Sequence, residues 1–412
     1  MKHEAPALRV AMVSEHASPL AALGGPDAGG QNVYVAQLAR HLVGRGHEVT
    51  VYTRRDDPAL APTVTTRDGF KVVHVPAGPP APVPKDELPA HMPEFGRHLA
   101  RAWATAPPDL VHAHFWMSGT AALAGARDRS IPVVQTFHAL GTVKRRYQGS
   151  DDTSPPERIE TEARVGRTCR RVLATCSDEV GELLAMGIDR SHVRVVPCGV
   201  DTTHFAPVPG AAARQPDDHP KRLLAVGRLV PRKGFDRAIR ALAGIPDAEL
   251  LIAGGPEEPL LFDDPEAHRL RKVAEEHGVS ERVRLLGAVS HDAMPALMSS
   301  ADLVLSLPRY EPFGIVPLEA MACRTPVVAT AVGGHLDTVV DGVTGVLVPP
   351  VDDHGLDRVI RSLLDDPARL ARLGAAGRER ALDRYTWDRV AEGVAAVYDG
   401  LLSVPELSGV AR

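Results

Sequence analysis

The sequence predicts an α/β protein built from two successive Rossmann-like, doubly wound domains. Three observations carry this. The chain has 412 residues, beyond the ~250–300 at which a single core stops growing. Short apolar, β-branched runs alternate with amphipathic helical stretches in two separate series. Between the series, FAPVPGAAARQPDDHPK (205–221) has no apolar period and reads as a linker.

In the first series the strand candidates are 8–14, 47–53, 70–75, 109–114, 131–137, 171–176 and 193–197. They are nearly continuous apolar runs, the pattern of parallel strands covered by helices on both faces. Between them lie helical stretches such as NVYVAQLARHLVGRG (32–46), whose apolar positions recur every three or four residues and which stops at glycine. The rhythm restarts with strand candidates at 222–227, 248–254, 282–287, 302–307, 326–330 and 345–349. The expected domains are therefore 1–205 and 206–385. The terminal helix TWDRVAEGVAAVYDGLL (386–402), within the segment 386–412, is expected to pack back on the first domain. Ligands of such sheets bind beyond the carboxyl ends of the strands, so two domains facing each other would place a site in the cleft between them.

Composition narrows the class. With 44% hydrophobic and 24% charged residues the chain reads as a soluble globular protein. A net charge of −5 speaks against a nucleic-acid partner. The start, MKHEAPALRVAMV, lacks a signal-peptide pattern, and no run approaches the ~20 apolar residues of a membrane span. A cytoplasmic protein without stable membrane insertion is expected. Cys169, Cys176, Cys198 and Cys323 form no CxxC pair and no zinc spacing, which predicts buried free thiols and no metal. Seven lysines stand against forty arginines.

Chemistry concentrates where strands end. GGPDAGGQN (24–32), carrying Asp27, Gly30 and Asn32, follows the first strand and precedes a helix. Its glycines allow close approach to a ligand, and the helix start offers free N–H groups to an anion. The alternative is a merely tight connection. GRLVPRKG (227–234) sets Arg228 and Lys233 around Pro231 before another helix, either as two cations for a diphosphate or as a solvated basic turn. In EPFGIVPLE (311–319), Glu311 and Glu319 flank Gly314 ahead of a helix expected to start at Pro317. A carboxylate accepts two hydroxyl hydrogen bonds, so two carboxylates in one short segment can grip two diols. A helix N-terminus explains one such glutamate but not both. His138 in TFHALG (136–141) and Asp201 in PCGVD (197–201) each follow a strand, as ligand contacts or as structural residues.

Taken together, GRLVPRKG and EPFGIVPLE resemble the group 1 glycosyltransferases, also called family 4, whose pattern is a pair of glutamates eight residues apart with an upstream Arg and Lys. Glu311, Glu319, Arg228 and Lys233 match it in order, and the likeness covers nearly the whole chain. It implies a GT-B fold and transfer of a sugar from a nucleotide diphosphate sugar such as a UDP sugar, with retention and with no metal or other cofactor. Arg228 and Lys233 would neutralise the leaving diphosphate, and Glu319 would hold the ribose. Glu311 with Phe313, Gly314 and Ile315 would hold the sugar. His16, Gly30 and the main chain near Val289 would complete the donor contacts, and His138 would sit at the reacting centre. Domain closure would bring donor and acceptor together.

Within the family, HASPLAALGGPDAGGQNVYV (16–35), PKDELP (84–89), VHAHFWMSG (111–119), TFHALGTVK (136–144) and PPERIETE (155–162) are similar to the mycothiol-pathway N-acetylglucosaminyltransferases and the sucrose-phosphate synthases. By that likeness Asp27, Asn32, Lys85 and Arg158 would bind a small polar, phosphorylated acceptor such as an inositol phosphate or a sugar phosphate. Phe115 and Ala139 stand where the mycothiol-pathway enzymes have a tyrosine and a threonine. The sequence leaves alternatives open. They are a nucleotide-sugar epimerase of the same fold, a non-catalytic nucleotide-sugar-binding protein, and a transferase acting on a lipid-linked acceptor at the basic clusters 144–146 and 167–171. A homodimer is also expected.

Overall fold

A computed structural model of the chain describes residues 7–21, 30–211, 220–351 and 354–403. They divide into two compact units. One holds 7–175, Glu179–Pro197 and the chain from Trp387 onward; the other holds Cys176–Asp178 and Cys198–Thr386.

The first unit runs β1 (Arg9–Val13), α1 (Gly30–Gly44), β2 (Glu48–Arg54), β3 (Thr63–Thr65), β4 (Lys71–Val75), α2 (Met92–Thr105), β5 (Leu110–His114), α3 (Trp116–Ala126), β6 (Val133–Thr136), α4 (Gly141–Gln148), α5 (Arg158–Thr168), β7 (Arg171–Ala174), α6 (Ser177–Ala185) and β8 (Val193–Val195). Its sheet order is β3-β4-β2-β1-β5-β6-β7-β8, parallel except for the β3–β4 pair. The order reverses between β1 and β5, and a crevice opens at such a point beyond the carboxyl ends of the strands.

The second unit runs β9 (Lys221–Val226), α7 (Phe235–Leu242), β10 (Ala248–Ala253), α8 (Pro265–Glu276), β11 (Val283–Gly287), α9 (Met294–Ser299), β12 (Leu303–Ser306), α10 (Ile315–Ala322), β13 (Val327–Thr330), α11 (His335–Thr338), β14 (Val346–Val348), α12 (Leu356–Leu364) and α13 (Pro367–Arg384). Its all-parallel order is β11-β10-β9-β12-β13-β14. That is the strand order of dinucleotide-binding sheets, with the switch between β9 and β12. Leu223 and Leu250 face one apolar cluster, whereas their chain neighbours Leu224 and Leu251 face another. This alternation lets one continuous apolar run fill two cores, one on each face of the sheet.

α14 (Trp387–Leu402) belongs to the first unit. It buries Trp387, Val390, Ala391, Val394, Ala395, Tyr398 and Leu401, a helical stripe. Trp387 meets the ring of Tyr34 on α1 edge-on at 5.5 Å. Residues 198–205 pack in the second unit: Val200 pairs with Thr386, and Phe205 joins the core that holds Leu224.

Every strand candidate of the sequence forms a strand, with ends that differ by up to two residues; β2 and β9 each reach one residue beyond the expected span. β3 was not anticipated, because three residues of alternating exposure carry no apolar run. A further correction concerns α10, which starts at Ile315 and not at Pro317. Gly314 at φ 70° precedes the helix, and Pro317 lies in its first turn, where no intrahelical N–H bond is lost. No helix among the described residues is long and apolar enough to cross a membrane. The four cysteines are free and buried.

Candidate active site

In the second unit, the two loops that flank the sheet switch are built against each other. The loop after β9 carries Arg228, Arg232 and Lys233, and the loop after β12 carries Glu311. Arg309 N–H donates to the Arg232 carbonyl at 2.9 Å. Gly234, at φ 71°, lies so close to the Leu307 carbonyl that any Cβ there would collide with it. This close fit puts Lys233 Nζ 2.6 Å from Glu311 Oε2.

Electrostatics then separate the two carboxyls. Burial alone would raise Glu311, but Lys233, His335 and Arg232 outweigh it and hold the group at about 2, so it is anionic. Burial raises Glu319, on α10, to about 8, against the opposing charge of Lys233. A third loop, after β13, braces the second: Gly334 N–H donates to the Glu311 carbonyl at 2.8 Å, and Gly333 leaves no room for a Cβ against that same carbonyl. His335 Nδ1–H donates to the Thr330 carbonyl (2.9 Å), so its Nε2 accepts from the Ser306 hydroxyl (3.3 Å). Arg232, His335 and the Gly333–Gly334 pair were missed by the sequence reading. The glycine pair directly after a strand was the available signal.

In the first unit, the carboxyl ends of β1, β5 and β6 gather a second constellation. Phe115 follows β5 at φ 79° and ψ 158°, a backbone region that bulky residues rarely adopt. Its carbonyl accepts from Gln135 Nε2 at 3.0 Å, which pins it. Lys85 Nζ lies 4.1 Å and Arg158 Cζ 5.1 Å from the Phe115 ring centroid. His16 meets the same ring edge-on at 5.0 Å. Arg158 is buried and well held: Nε–H donates to Glu162 Oε1 (2.7 Å), Nη1 to Ser154 Oγ (3.1 Å) and Nη2 to the Ala139 carbonyl (2.8 Å).

His138 follows β6 in the left-handed region, at φ 62°. Its Nε2 is 3.0 Å from Nδ1 of His114, and its ring stacks on that of His114 at 5.2 Å. Burial first, then neighbouring charges, push both far below the ordinary histidine value, so both are neutral. His112 lies beside His114, its ring tilted by 36° at 4.2 Å, and bonds Tyr398 of α14 (2.7 Å) and Thr136 (2.8 Å); burial lowers it to about 3.

The structure thus brings together Lys233, Glu311 and Glu319 in one unit, and His16, Lys85, Arg158 and His138 in the other. Arg228 is exposed and acts electrostatically on Arg232. Phe313 and Gly314 lead into α10, which Ile315 opens. Val289 follows β11 and packs on the apolar core of its unit. Gly30 opens α1. Asn32 is buried, and its amide donates to the Ser18 carbonyl at 3.0 Å. Asp201 accepts from the backbone of Thr203 and His204, both at 3.0 Å, as a turn residue does. Asp27 lies outside the described residues.

The pattern described as "Glycosyl transferases group 1" matches residues 211–380, and that of "Glycosyltransferase Family 4" matches residues 28–204. The D-inositol 3-phosphate glycosyltransferase 1 of Catenulispora acidiphila is 40% identical over 403 residues, 95% of each chain. The chain belongs to the group 1 glycosyltransferases. The D-inositol 3-phosphate glycosyltransferase of Mycolicibacterium smegmatis is also 40% identical to this glycosyltransferase, over 96% of its chain and 92% of the relative. The solved sucrose-phosphate synthase of Thermosynechococcus elongatus superposes with a TM-score of 0.85 at 32% identity, covering 96% of this chain and 99% of that one. Each unit is therefore one half of a GT-B glycosyltransferase.

Proposed function

We propose that this glycosyltransferase moves a hexosyl or N-acetylhexosaminyl group from a UDP sugar to a small phosphorylated polyol or sugar, with retention at the anomeric carbon. The observation that carries the reading is the convergence of Lys85 and Arg158 on the Phe115 ring, 4.1 and 5.1 Å from its centroid. Two cations on one uncharged ring repel each other, and a phosphate bound between them relieves that repulsion. The names of the relatives support it, since they specify D-inositol 3-phosphate and sucrose phosphate. Phe115 and Ala139 bring no side-chain hydroxyl, so charge rather than hydroxyl donation binds the phosphate here.

On the donor side, anionic Glu311 accepts sugar hydroxyls through its two oxygens, and Glu319, which burial keeps protonated at neutral pH, holds the ribose diol with one donating O–H and one accepting oxygen. Arg228 and Lys233 stabilise the negative charge that grows on the leaving diphosphate, an effect of about 3–4 kcal/mol per contact in comparable sites. His138, neutral and fixed by His114, hydrogen-bonds at the reacting centre. The leaving phosphate takes the acceptor proton as the new bond forms on the same face.

The test is a matrix of UDP-glucose, UDP-N-acetylglucosamine, ADP-glucose and GDP-mannose against inositol phosphate, hexose phosphates and no acceptor, with released nucleotide diphosphate as readout. Release from a UDP sugar that depends on a phosphorylated acceptor supports the reading. Release only with unphosphorylated or lipid acceptors overturns the phosphate assignment. Conversion of the donor without any acceptor points to an epimerase. NMR of the product's anomeric proton checks retention.

A further inference from the structure

Glu15 is a buried carboxylate at the ligand-binding end of the first sheet. It follows β1 directly, beside the β1–β5 switch, and is 1% exposed. Its N–H donates to Ser118 Oγ at 3.0 Å, and the Ser118 hydroxyl donates back to Oε2. Its other oxygen, Oε1, lies 2.6 Å from His16 Nδ1. Ser118 sits in the first turn of α3, so the carboxylate ties β1 to the element that follows β5.

A carboxylate removed from water costs several kcal/mol unless it is compensated. The serine hydroxyl supplies a hydrogen bond but no charge. His16 is the charge-bearing group in contact with the carboxylate among the described residues. Burial raises Glu15, but the charge and hydrogen bond of His16, with the Ser118 bond, outweigh it and leave the group below its ordinary value. An ionised carboxylate only accepts, so the His16 nitrogen facing it, Nδ1, must carry a proton. The cations around His16 work in the opposite sense. Lys85 and Arg158 lie over the Phe115 ring that His16 touches, and His138 is acted on by both His16 and Lys85. Glu15 is the anion that counters them.

We infer that Glu15 is a positioning residue that keeps the His16 imidazole protonated at both nitrogens and fixed in orientation, so that its Nε2–H donates to an anionic oxygen of the bound substrate. The inference rests on the proposed reading only for the identity of that substrate. No bond is made or broken at His16. Its imidazolium adds a third positive group to Lys85 and Arg158, and the buried carboxylate fixes its geometry through the bond at Nδ1.

The experiment is a ring-15N NMR titration of His16 in the substrate-free enzyme, with His16→Gln to assign the signals, and a kcat/KM pH profile for wild type, Glu15→Gln and Glu15→Asp. In Glu15→Gln the ring loses its proton at a pH at least one unit lower than in wild type. Its kcat/KM drops at least tenfold at pH 8 and recovers to within threefold of wild type at pH 6. Glu15→Asp keeps the wild-type profile. An unchanged ring titration in Glu15→Gln, or a loss that is the same at every pH, overturns the inference. The NMR arm needs no substrate, so it stands or falls independently of the acceptor and donor assigned above. If Glu15→Gln does not fold, a wild-type ring already neutral at pH 6 overturns it alone.

Discussion

Lys233 Nζ stands 2.6 Å from Glu311 Oε2, across 78 residues of sequence, and both side chains are largely withdrawn from solvent. The pair links the loops after β9 and β12, so it serves stability as well as the chemistry proposed for it. Removing one partner leaves a desolvated charge, which costs about 3–5 kcal/mol in comparable pairs. Lys233→Ala and Glu311→Ala are each expected to lower unfolding free energy by about 3 kcal/mol. The double variant should lose clearly less than the sum, because neither orphaned charge remains. Urea denaturation of the four proteins checks this, and strict additivity would remove the coupling. All three variants should lack activity.

Glu319 gives a pH signature of the opposite sign to Glu311. Its carboxyl is raised from an ordinary 4.5 to about 8. The folded state therefore holds a proton that the unfolded state releases, and stability falls as pH rises from about 4.5 to 8. Glu319→Gln carries no such proton. The melting temperature of this variant relative to wild type should become more favourable between pH 5 and pH 9, while its nucleotide affinity drops. A difference in melting temperature that does not change with pH would show that Glu319 is ionised throughout.

Much of this arrangement is legible from local signals. Each strand of a parallel sheet is a continuous apolar run, which is why 9–13 and 303–306 announce themselves, while the alternating edge strand Thr63–Thr65 does not. Glu311 and Lys233 stand out because charges beside glycines at strand ends are chemically odd. Their direct contact could not be read, since it depends on the Gly234–Leu307 approach between distant loops. Glu15 escaped for a different reason: nothing local distinguishes an acid after a strand, and its meaning lies in the Ser118 contact 103 residues away. Pro317 misled because proline favours any first-turn position, and the preceding Gly314 φ of 70° sets the true start.

Arg228 differs from Lys233 in being exposed, and no side-chain hydrogen bond engages it among the described residues. Its removal should leave folding within about 0.5 kcal/mol of wild type. Turnover should fall roughly 100-fold or more, since a contact to the departing diphosphate acts mainly in the transition state. Steady-state kinetics together with a thermal melt separate the two effects. A loss of less than threefold would take Arg228 out of this role.

Lys85 and Arg158 share the Phe115 ring but are held differently, so their variants should behave differently. Lys85 is exposed. Lys85→Ala should leave stability nearly unchanged and raise the KM for a phosphorylated acceptor at least tenfold, the loss of one charge-assisted contact of about 1.5 kcal/mol or more. Arg158 is buried against Glu162, whose carboxyl burial raises despite the arginine. Without Arg158 that carboxyl also loses its bond from Nε–H and, among the described residues, keeps the Gly141 N–H, at 2.8 Å. Arg158→Ala should therefore destabilise the first unit by about 3 kcal/mol at pH 8. The sign of the pH dependence follows from Glu162. Below the ordinary 4.5 the carboxyl is protonated in folded and unfolded chains alike, and the ionic part of the penalty disappears; as pH rises the folded variant must either bury the charge or keep the proton, and the penalty grows. Melting curves of Arg158→Ala at pH 5 and pH 8 check this. A larger deficit at pH 5 than at pH 8 would show that Arg158 does not serve to neutralise Glu162, and that its charge is held for the ligand alone.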